Sequence, residues 1–456
     1  MKKLLLLVFL FPGMLLNLSA QEKYWSLEEC INHALDNNIT IKQQELQTEY
    51  QENTLLQSKL GLLPSLNGTA TNNWSFGRAL DETTYEFTAE ENVRSNNFYA
   101  SAGVILFSGL QNYNTIKKNE YDLDASFLDL QNIKDDISLS VALAYLQILL
   151  NKELVTVTEN QLQTTREQID KTEKMVEAGS LPRGNLLDIQ AQAAREELQL
   201  INMENQLDLS YLNIIQLLEL DSVNGFEIVV PDIVLGETGV VIENINDIYI
   251  TAKDLRPEVK SAELRLKSAE YDLKIAKGGR SPRLSLNTTF STGFSSIRQR
   301  ILGGNPIEGY ILDEYPFADQ INDNINYGIG LTLNIPVFNG WQVNTGISNS
   351  EINIRNSQYT LENTRKQLYK NIQQAYADAQ ASLKSYSASL KAVESMQESF
   401  RYTEQRFNVG MVTPVEYNTA KAQLLNAESE LAQSKYEYIF KIKVLDFYKG
   451  LPLKID

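Results

Sequence analysis

The stretch Leu106-Phe107-Ser108-Gly109 returns in the second half of the chain as Val337-Phe338-Asn339-Gly340. In both copies, two apolar residues are followed by a small polar residue and a glycine, and a long segment without proline begins there. A proline break also precedes each copy, at Pro64 and at Pro282. The repeat predicts that the chain builds one arrangement twice, namely a helix, a hairpin, a very long helix and a return helix.

These landmarks divide the chain into segments. A first repeat is predicted at 21–220, a connecting segment with a short strand at 221–245, and a second repeat at 246–450. The predicted parts of the repeats are hairpins at 64–107 and 282–338, long helices at 109–178 and 340–409, and return helices at 184–220 and 415–449.

Both predicted hairpins alternate between apolar and polar side chains. In the return strand of the second hairpin, Leu331, Leu333 and Ile335 alternate with Thr332 and Asn334. A period of two gives a strand one apolar and one polar face. Strands of outer-membrane barrels have this pattern, and so does a half-buried sheet in a soluble sandwich. Aromatic residues near the strand ends favour the membrane interpretation, since they are typical of interfacial girdles. They are Trp74, Phe76, Phe98, Tyr99, Tyr315, Phe317 and Tyr327 at one end and Phe107, Phe338 and Trp341 at the other.

Each proline-free run of the long helices, at about 1.5 Å per residue, would be about 100 Å long. Helices of that length require coiled-coil packing, and apolar residues recur at steps of three and four in both runs. The predicted seam of the second copy contains, before the turn, Leu383, Tyr386, Leu390, Val393, Gln397, Phe400, Glu404 and Phe407, and after it Ala420, Leu424, Ala427, Leu431, Ser434 and Tyr438. In the first copy, Leu162, Thr165, Ile169, Thr172 and Val176 are predicted to face Leu187, Ala191, Ala194, Leu198 and Ile201.

The first twenty residues have the pattern of a secretory signal peptide. Lys2 and Lys3 precede an apolar run, and Leu18-Ser19-Ala20 resembles a cleavage site. The sequence therefore predicts an exported protein with a signal peptide at 1–20.

The composition argues against several classes of function. A net charge of −17 disfavours nucleic acid as a partner. With one histidine, His33, and one cysteine, Cys30, the chain cannot build most metal sites or histidine-based nucleophilic sites. We therefore expect no enzymatic activity, no cofactor and no metal. Cys30 is interpreted as buried filler, and His33 as a residue on a helix face.

Four strands of the barrel type cannot close a barrel alone. Lipid tolerates no unpaired sheet edge, and closed membrane barrels begin at about eight strands. Two, three or four copies of the chain would supply eight, twelve or sixteen strands. The helical runs carry charged residues throughout, so they are predicted to lie in the aqueous compartment beneath the membrane. A mixed α and β protein of this kind, with a shared outer-membrane β-barrel continued by a coiled-coil α-helical barrel, is a conduit.

The repeat, the two strand-to-helix corners and the two helical tips resemble the TolC family of outer membrane efflux proteins. The tips are Val176-Glu177-Ala178-Gly179-Ser180-Leu181-Pro182 and Phe407-Asn408-Val409-Gly410-Met411-Val412-Thr413-Pro414. The resemblance covers essentially the whole mature chain. It implies a homotrimer with a twelve-stranded barrel in the outer membrane of a Gram-negative-type bacterium, with the helical part in the periplasm. It also implies two partners, a periplasmic adaptor protein and an inner-membrane transporter.

The resemblance further implies a constriction near the tips, formed by rings of acidic residues. Glu416, six residues after Gly410, matches the first ring position, whereas the second position is Thr419, which is not acidic. The corresponding residues after Gly179 are Asn185 and Asp188, so Asp188 is a candidate for the missing carboxylate. An alternative for both acids is a favourable charge in the first helical turn, which contributes about 0.3 to 1 kcal/mol.

The tips are also the expected docking site of the adaptor protein. The residues assigned to docking are Gly179, Pro182, Phe407, Gly410, Val412 and Pro414. Val412 stands where the family has an arginine that latches the closed mouth, so the latch of this chain must differ. Gly179 and Gly410 are predicted to end their helices in the left-handed conformation.

Three functions remain open from the sequence. The first is an exit duct of a tripartite efflux system, which passively conducts substrates from an inner-membrane pump. The second is an exit duct for type I protein secretion. The third, from another class, is a trimeric structural coiled-coil surface protein that happens to carry hairpins.

Overall fold

The computed structural model describes residues 23–78, 80, 87, 91–222, 225–231, 244–305 and 309–454. The predicted signal peptide lies outside these residues, as does half of the connecting segment. The chain folds into two compact units. The first, here called the helical unit, contains 1–45, 130–257 and 365–456, and the second, the sheet unit, contains 46–129 and 258–364.

The elements of the first repeat are β1 (Lys23–Trp25), α1 (Leu27–Asn37), α2 (Ile39–Leu60), β2 (Ser65–Gly77), β3 (Glu91–Phe107), α3 (Gln111–Glu177) and α4 (Arg183–Leu218). The rest of the chain contains β4 (Phe226–Ile228), α5 (Ile245–Leu255), α6 (Pro257–Gly278), β5 (Arg283–Ser295), β6 (Gln299–Asn305), β7 (Gly309–Glu314), α7 (Phe317–Asp323), β8 (Asn326–Asn334), α8 (Gln342–Asn408) and α9 (Pro414–Tyr448).

The sheet unit contains a four-stranded antiparallel sheet in the order β2-β3-β5-β8. The two hairpins are therefore β2–β3 and β5–β8, and they join through β3 and β5, where Tyr99 lies opposite Ser291. Within the described residues, each outer strand has a partner on one side only. The apolar side chains of β8 are uncovered in the single chain, with Tyr327 79% and Ile329 76% exposed.

Both strand-to-helix corners contain two consecutive residues in the left-handed region. Their φ angles are 63° at Gly109 and 62° at Leu110, and 61° at Gly340 and 69° at Trp341. Two successive left-handed residues turn the extended strand into the start of the long helix. The repeated sequence pattern thus produces the same backbone turn twice.

The second hairpin contains an insertion that the alternating pattern did not predict. Between β5 and β8, the strands β6 and β7 form their own ladder and α7 packs on the end of β5. Gln320 of α7 is buried, and its amide donates to the carbonyl oxygens of Ser295 at 3.0 Å and Tyr315 at 2.7 Å. Its side-chain oxygen accepts from the Ser295 amide at 3.0 Å, so one side chain fixes this segment.

The two long helices, α3 and α8, have 67 residues each and run without interruption. None of the described helices combines the length and the apolar character needed to cross a bilayer. Several predicted seam residues are buried in the helical unit, among them Leu162, Thr165, Val393 and Tyr438, whereas Leu390 is 41% exposed.

The seam predicted on α4 is wrong. Leu187, Leu198 and Ile201 are 54%, 61% and 55% exposed, and the buried positions toward the tip are Ile189 and Glu196. The reason is that α4 carries two stripes of helical spacing. The stripe that contains Glu196 is held inside the chain by polar contacts, so the more apolar stripe remains on the surface of the single chain.

The core of the helical unit lies where α1, α3, α4 and β4 meet. Tyr145 of α3 is buried there, and its hydroxyl donates to the backbone oxygen of Val229 at 2.5 Å. β4 pairs in parallel with β1, so the described part of the connecting segment closes this core. Cys30 is fully buried in the same cluster, which confirms its assignment as filler. The capping box from Ser26 to Glu29 at the start of α1 is formed by hydrogen bonds of 2.9 and 3.2 Å.

The two corners offer a matched pair of substitutions. Gly109→Ala and Gly340→Ala both place a Cβ in the left-handed region, at a cost of about 1 to 2 kcal/mol. At Gly109, the new Cβ would also lie 2.5 Å from the backbone oxygen of Gly278 and from Ser281 Cβ, whereas at Gly340 nothing lies within 4 Å. Overpacking adds about 1 to 3 kcal/mol. We expect Gly109→Ala to lower the thermal unfolding temperature in detergent more than Gly340→Ala. Equal shifts for the two variants would contradict the close contact at Gly109.

Candidate functional site

The two helical tips have the same backbone geometry. Gly179 and Gly410 have φ angles of 70° and 75°, which confirms the predicted left-handed helix ends. The amide of Ser180 donates to the Met175 oxygen at 2.8 Å, and the amide of Met411 to the Arg406 oxygen at 2.8 Å. These bonds satisfy carbonyl groups that a helix end leaves unpaired. A Cβ at either glycine would meet nothing within 4 Å, so glycine is favoured by backbone conformation alone.

The helix that follows the second tip has a well-formed start. Thr413 is its N-cap, and its hydroxyl accepts from the amide of Glu416 at 3.3 Å. Pro414 occupies the first turn, where its missing N–H is not needed. Glu416 is exposed in the same turn, so its carboxylate interacts favourably with the helix dipole.

The helix that follows the first tip begins differently. Pro182 is at the N-cap position and gives no side-chain hydrogen bond. Asn185 is half-buried, and its backbone N–H donates to the backbone oxygen of Pro182 at 3.1 Å. The first turn of α4 contains no acidic residue, because Asp188 lies one turn further along. The interpretation of Asp188 as a first-turn charge is therefore wrong, since the dipole acts mainly within the first turn.

Three of the four predicted constriction residues are exposed to solvent, and the fourth, Asn185, is half-buried. Glu416, Asp188 and Thr419 are exposed in the single chain. Within the described part of the chain, neither the Glu416 nor the Asp188 carboxylate has a side-chain partner. The hydroxyl of Thr419 donates to the Val415 oxygen at 2.8 Å and is thus bound to its own helix.

An aromatic cluster that sequence reasoning missed holds the second tip together. Phe407 stacks on Tyr417, with ring centroids 4.6 Å apart, and Phe400 packs on the same tyrosine at 5.4 Å. Tyr417 is 2% exposed, and this burial raises the pKa of its hydroxyl to about 12. Phe400 and Phe407 belong to the predicted seam, and the available signal for Tyr417 was its spacing of three from Ala420, the first predicted seam residue after the turn. Val412 lies in the turn, half-buried, where the resemblance expected an arginine.

A second missed cluster lies one turn further along α9. Lys421 is buried, and its Nζ donates to the backbone oxygen of Gln161 at 2.9 Å and to the hydroxyl of Thr165. The Thr165 hydroxyl donates in turn to the carboxylate of Glu196. Burial lowers the pKa of Lys421 to about 8, and the carboxylates of Glu196 and Glu404 oppose that shift. The predicted seam contained Thr165 but not Lys421 or Glu196, because charged side chains are not expected at the buried positions of a seam.

The sequence profile of outer membrane efflux proteins matches residues 30–219 and 248–442 of this chain. The chain belongs to that family. The two matched segments follow the two repeats, and they leave out the whole connecting segment 221–245. The resemblance inferred from the corners and the tips is thus confirmed.

Individual relatives agree with this assignment. The chain is 23% identical over 323 residues to the outer membrane protein TolC of Escherichia coli (strain K12), which covers 68% of this chain and 60% of TolC. It is 27% identical over 184 residues to OpmQ, the pyoverdine export outer membrane protein of Pseudomonas putida, which covers 39% of this chain and 37% of OpmQ. The matches thus span less than two thirds of the length of these relatives.

Similarity of fold extends over nearly the whole chain. The crystal structure of the Campylobacter jejuni CmeC outer membrane channel aligns with a TM-score of 0.76 at 16% identity. The alignment covers 94% of this chain and 87% of CmeC. At this identity, the likeness establishes the shared fold.

The stacking at the second tip predicts its local stability. Phe407→Ala removes the ring that stacks on Tyr417, and truncation of a buried aromatic costs about 3 to 5 kcal/mol, less at this half-buried site. We expect faster tryptic cleavage after Arg406, measured by mass spectrometry of the native protein. Val409→Ala is the control, because Val409 is 70% exposed on the same tip. Equal cleavage rates in the two variants would show that the stacking does not stabilise the tip.

Proposed function

We propose that this protein is the outer-membrane exit duct of a tripartite efflux system and passively conducts substrates through the periplasm and the outer membrane. The proposal is carried by the four-stranded sheet of the sheet unit, found in a chain that belongs to the outer membrane efflux protein family. Its four antiparallel strands display exposed apolar side chains, and the strands β3 and β8 precede helices of 67 residues.

The sheet edges support a shared barrel. The outer strands β2 and β8 each leave one row of backbone groups without a strand partner in the described chain. In lipid, each unsatisfied backbone group costs several kcal/mol. Pairing of β8 with β2 of a second copy removes this cost, and closure after three copies gives twelve strands. Edge pairing alone allows two, three or four copies, and we propose a homotrimer because the resemblance to the TolC family implies three.

The exposed apolar stripe of α4 supports the same assembly in the aqueous compartment. Leu187, Leu198 and Ile201 have heptad spacing, and a seam of this kind is normally covered by another helix. A neighbouring copy would provide that helix. The charged residues spread along α3 and α8 suit a helical tunnel in the periplasm.

The proposed constriction lies at the tips. Glu416 is the first candidate, with Asp188, Asn185 and Thr419 near the start of the same pair of return helices. Rings of carboxylates select cations in channels. The outer surfaces of the tips, with Gly179, Pro182, Phe407, Gly410, Val412 and Pro414, would dock a periplasmic adaptor that links the duct to an inner-membrane transporter.

The relatives favour efflux of small molecules over the other functions considered. OpmQ is described as a pyoverdine export protein, and CmeC as an outer membrane channel. The third function, a structural surface protein, has no support from the family.

The assembly can be tested on the purified protein in detergent. Multi-angle light scattering should give three copies per particle, and reconstitution in a planar bilayer should give discrete conductance steps. A monomeric particle that stays in solution without detergent would contradict both the shared barrel and the duct.

The proposed role of Glu416 predicts ion selectivity. Two unit charges 4 Å apart in water interact by about 1 kcal/mol, which corresponds to about a fivefold change in local cation concentration. Glu416→Gln should therefore lower the cation-to-anion permeability ratio by about that factor, measured from reversal potentials in a salt gradient. Glu430→Gln is the control, because Glu430 is an exposed carboxylate elsewhere on α9. An unchanged ratio in Glu416→Gln would remove this residue from the constriction.

A further inference from the structure

Charged residues are rare in the four-stranded sheet, and one of them lies on its polar face. Within the described strands β2, β3, β5 and β8, the charged residues are Glu91, Arg94 and Arg283. Arg94 lies opposite Trp74 in the register, on the apolar face. Arg283 is the first residue of β5 and lies opposite Asn334 of β8, at the end of the sheet where β3 and β8 precede the long helices. This end is here called the helix end.

A groove on the polar face surrounds Arg283 with amide and hydroxyl groups. The groove has a volume of about 630 Å³ and contains residues of all four strands. They include Ser65 of β2, Gly103 of β3, Arg283 and Asn287 of β5, and Thr332 and Asn334 of β8. One groove contacts all four strands because the sheet curves toward this face. In the proposed barrel, the face toward which the strands curve is the inner one, so Arg283 lies on the side of the lumen.

The hydrogen-bond donors in this groove are not used within the chain. Arg283 is exposed, and within the part of the chain that the structure describes, its guanidinium forms no ion pair. The side-chain amides of Asn287 and Asn334 make no hydrogen bond with the described residues either. Arg300, in the insertion of the same hairpin, instead pairs with Asp319 at 2.6 Å. Arg283 therefore keeps a planar fork of five N–H donors, which matches the geometry of carboxylate and phosphate groups.

Two glycines leave space beside these donors. Gly103 and Gly330 lie on either side of Asn287 in the register of the sheet. A Cβ at Gly103 would lie 3.1 Å from the side-chain oxygen of Asn287, which is closer than ordinary van der Waals contact. A Cβ at Gly330 would meet nothing within 4 Å, so that side of the amide is open. The groove thus combines one positive charge, neutral donors and room for a ligand with several acceptor oxygens.

We propose that Arg283, with Asn287 and Asn334, forms an anion-binding site in the lumen at the helix end of the sheet, and that the duct favours substrates with carboxylate, phosphate or sulfonate groups. The proposal rests on the proposed function, because only in a duct do substrates pass along this face. Three copies would place three guanidinium groups around one lumen. Rings of arginine or lysine side chains select anions in pores.

An arginine at a strand end can also reach the lipid headgroups, and Arg94 suits that role better than Arg283. The guanidinium carbon of Arg94 lies 5.4 Å from the centroid of the Trp74 ring, on the apolar face. Tryptophan and the long cationic side chains are typical of the membrane interface. Alternation along β5 places Arg283 on the same face as Asn287 and opposite to Leu284. Arg94 is therefore a matched control, an arginine of the same sheet on the other face.

The first test measures ion selectivity in planar bilayers from reversal potentials in a salt gradient. Arg283→Gln should raise the cation-to-anion permeability ratio by about fivefold, the factor that one charge contact of 4 Å in water contributes. This change is opposite in direction to that expected for Glu416→Gln. Arg283→Lys keeps the positive charge and should retain most of the original ratio, and Arg94→Gln should leave it unchanged. A conducting Arg283→Gln variant with an unchanged ratio would overturn the proposal.

The second test measures anion binding without conduction. Pyrenetetrasulfonate, a fluorescent anion, is titrated with the purified protein in detergent at low ionic strength, where exposed charges are screened least, and its anisotropy is followed. Arg283→Gln should weaken binding by about fivefold or more, whereas Arg94→Gln should bind like the unmodified protein. Equal binding by Arg283→Gln, or no binding by the unmodified protein, would overturn the proposal. If the anion binds through Arg283 but no variant conducts, the duct is wrong and the anion-binding site stands.

Discussion

The pairing of β3 with β5 joins the two repeats through backbone hydrogen bonds, and the rest of the sheet unit depends on it. Each repeat supplies only one hairpin, and an isolated hairpin is marginally stable in water. Joined side by side, the two hairpins form one four-stranded antiparallel sheet. Within the described residues, the exposed apolar side chains of β8 and the outer edges of β2 and β8 stay uncovered, and the proposed shared barrel would cover them.

The helical unit is held together by a different set of contacts. Its core joins α1, α3, α4 and the short parallel pair of β1 and β4, far along the sequence from either tip. Toward the tips, the contacts include the buried polar side chains Lys421, Thr165 and Glu196, and the aromatic contact of Tyr417 lies one turn nearer the tip. Polar contacts specify geometry more strictly than apolar packing does, because each hydrogen bond requires a particular partner.

The prediction succeeded where the physical signal is local. The corners and the tips were located correctly, because glycine in the left-handed region follows from backbone sterics at one residue. The strands were found from their alternation and the capping box of α1 from its spacing. The seam on α4 was wrong, because helical periodicity shows that a stripe exists but not which of two stripes a neighbouring helix covers. The insertion of β6, β7 and α7 was missed, because Gln320 stabilises it through contacts that have no sequence period.

The sequence by itself determined the twofold repeat, the lengths of the helices, the conformation of Gly179 and Gly410, and membership of the efflux family. Each of these depends on residues close to one another in the chain or on a pattern with a fixed period. Only the tertiary structure decided that Lys421, in the helical hairpin of α8 and α9, contacts Thr165, in the helical hairpin of α3 and α4. Tyr417 lies one turn away on α9. The two hairpins are more than two hundred residues apart in sequence, and their contact is set by the packing of four helices, which no local pattern encodes.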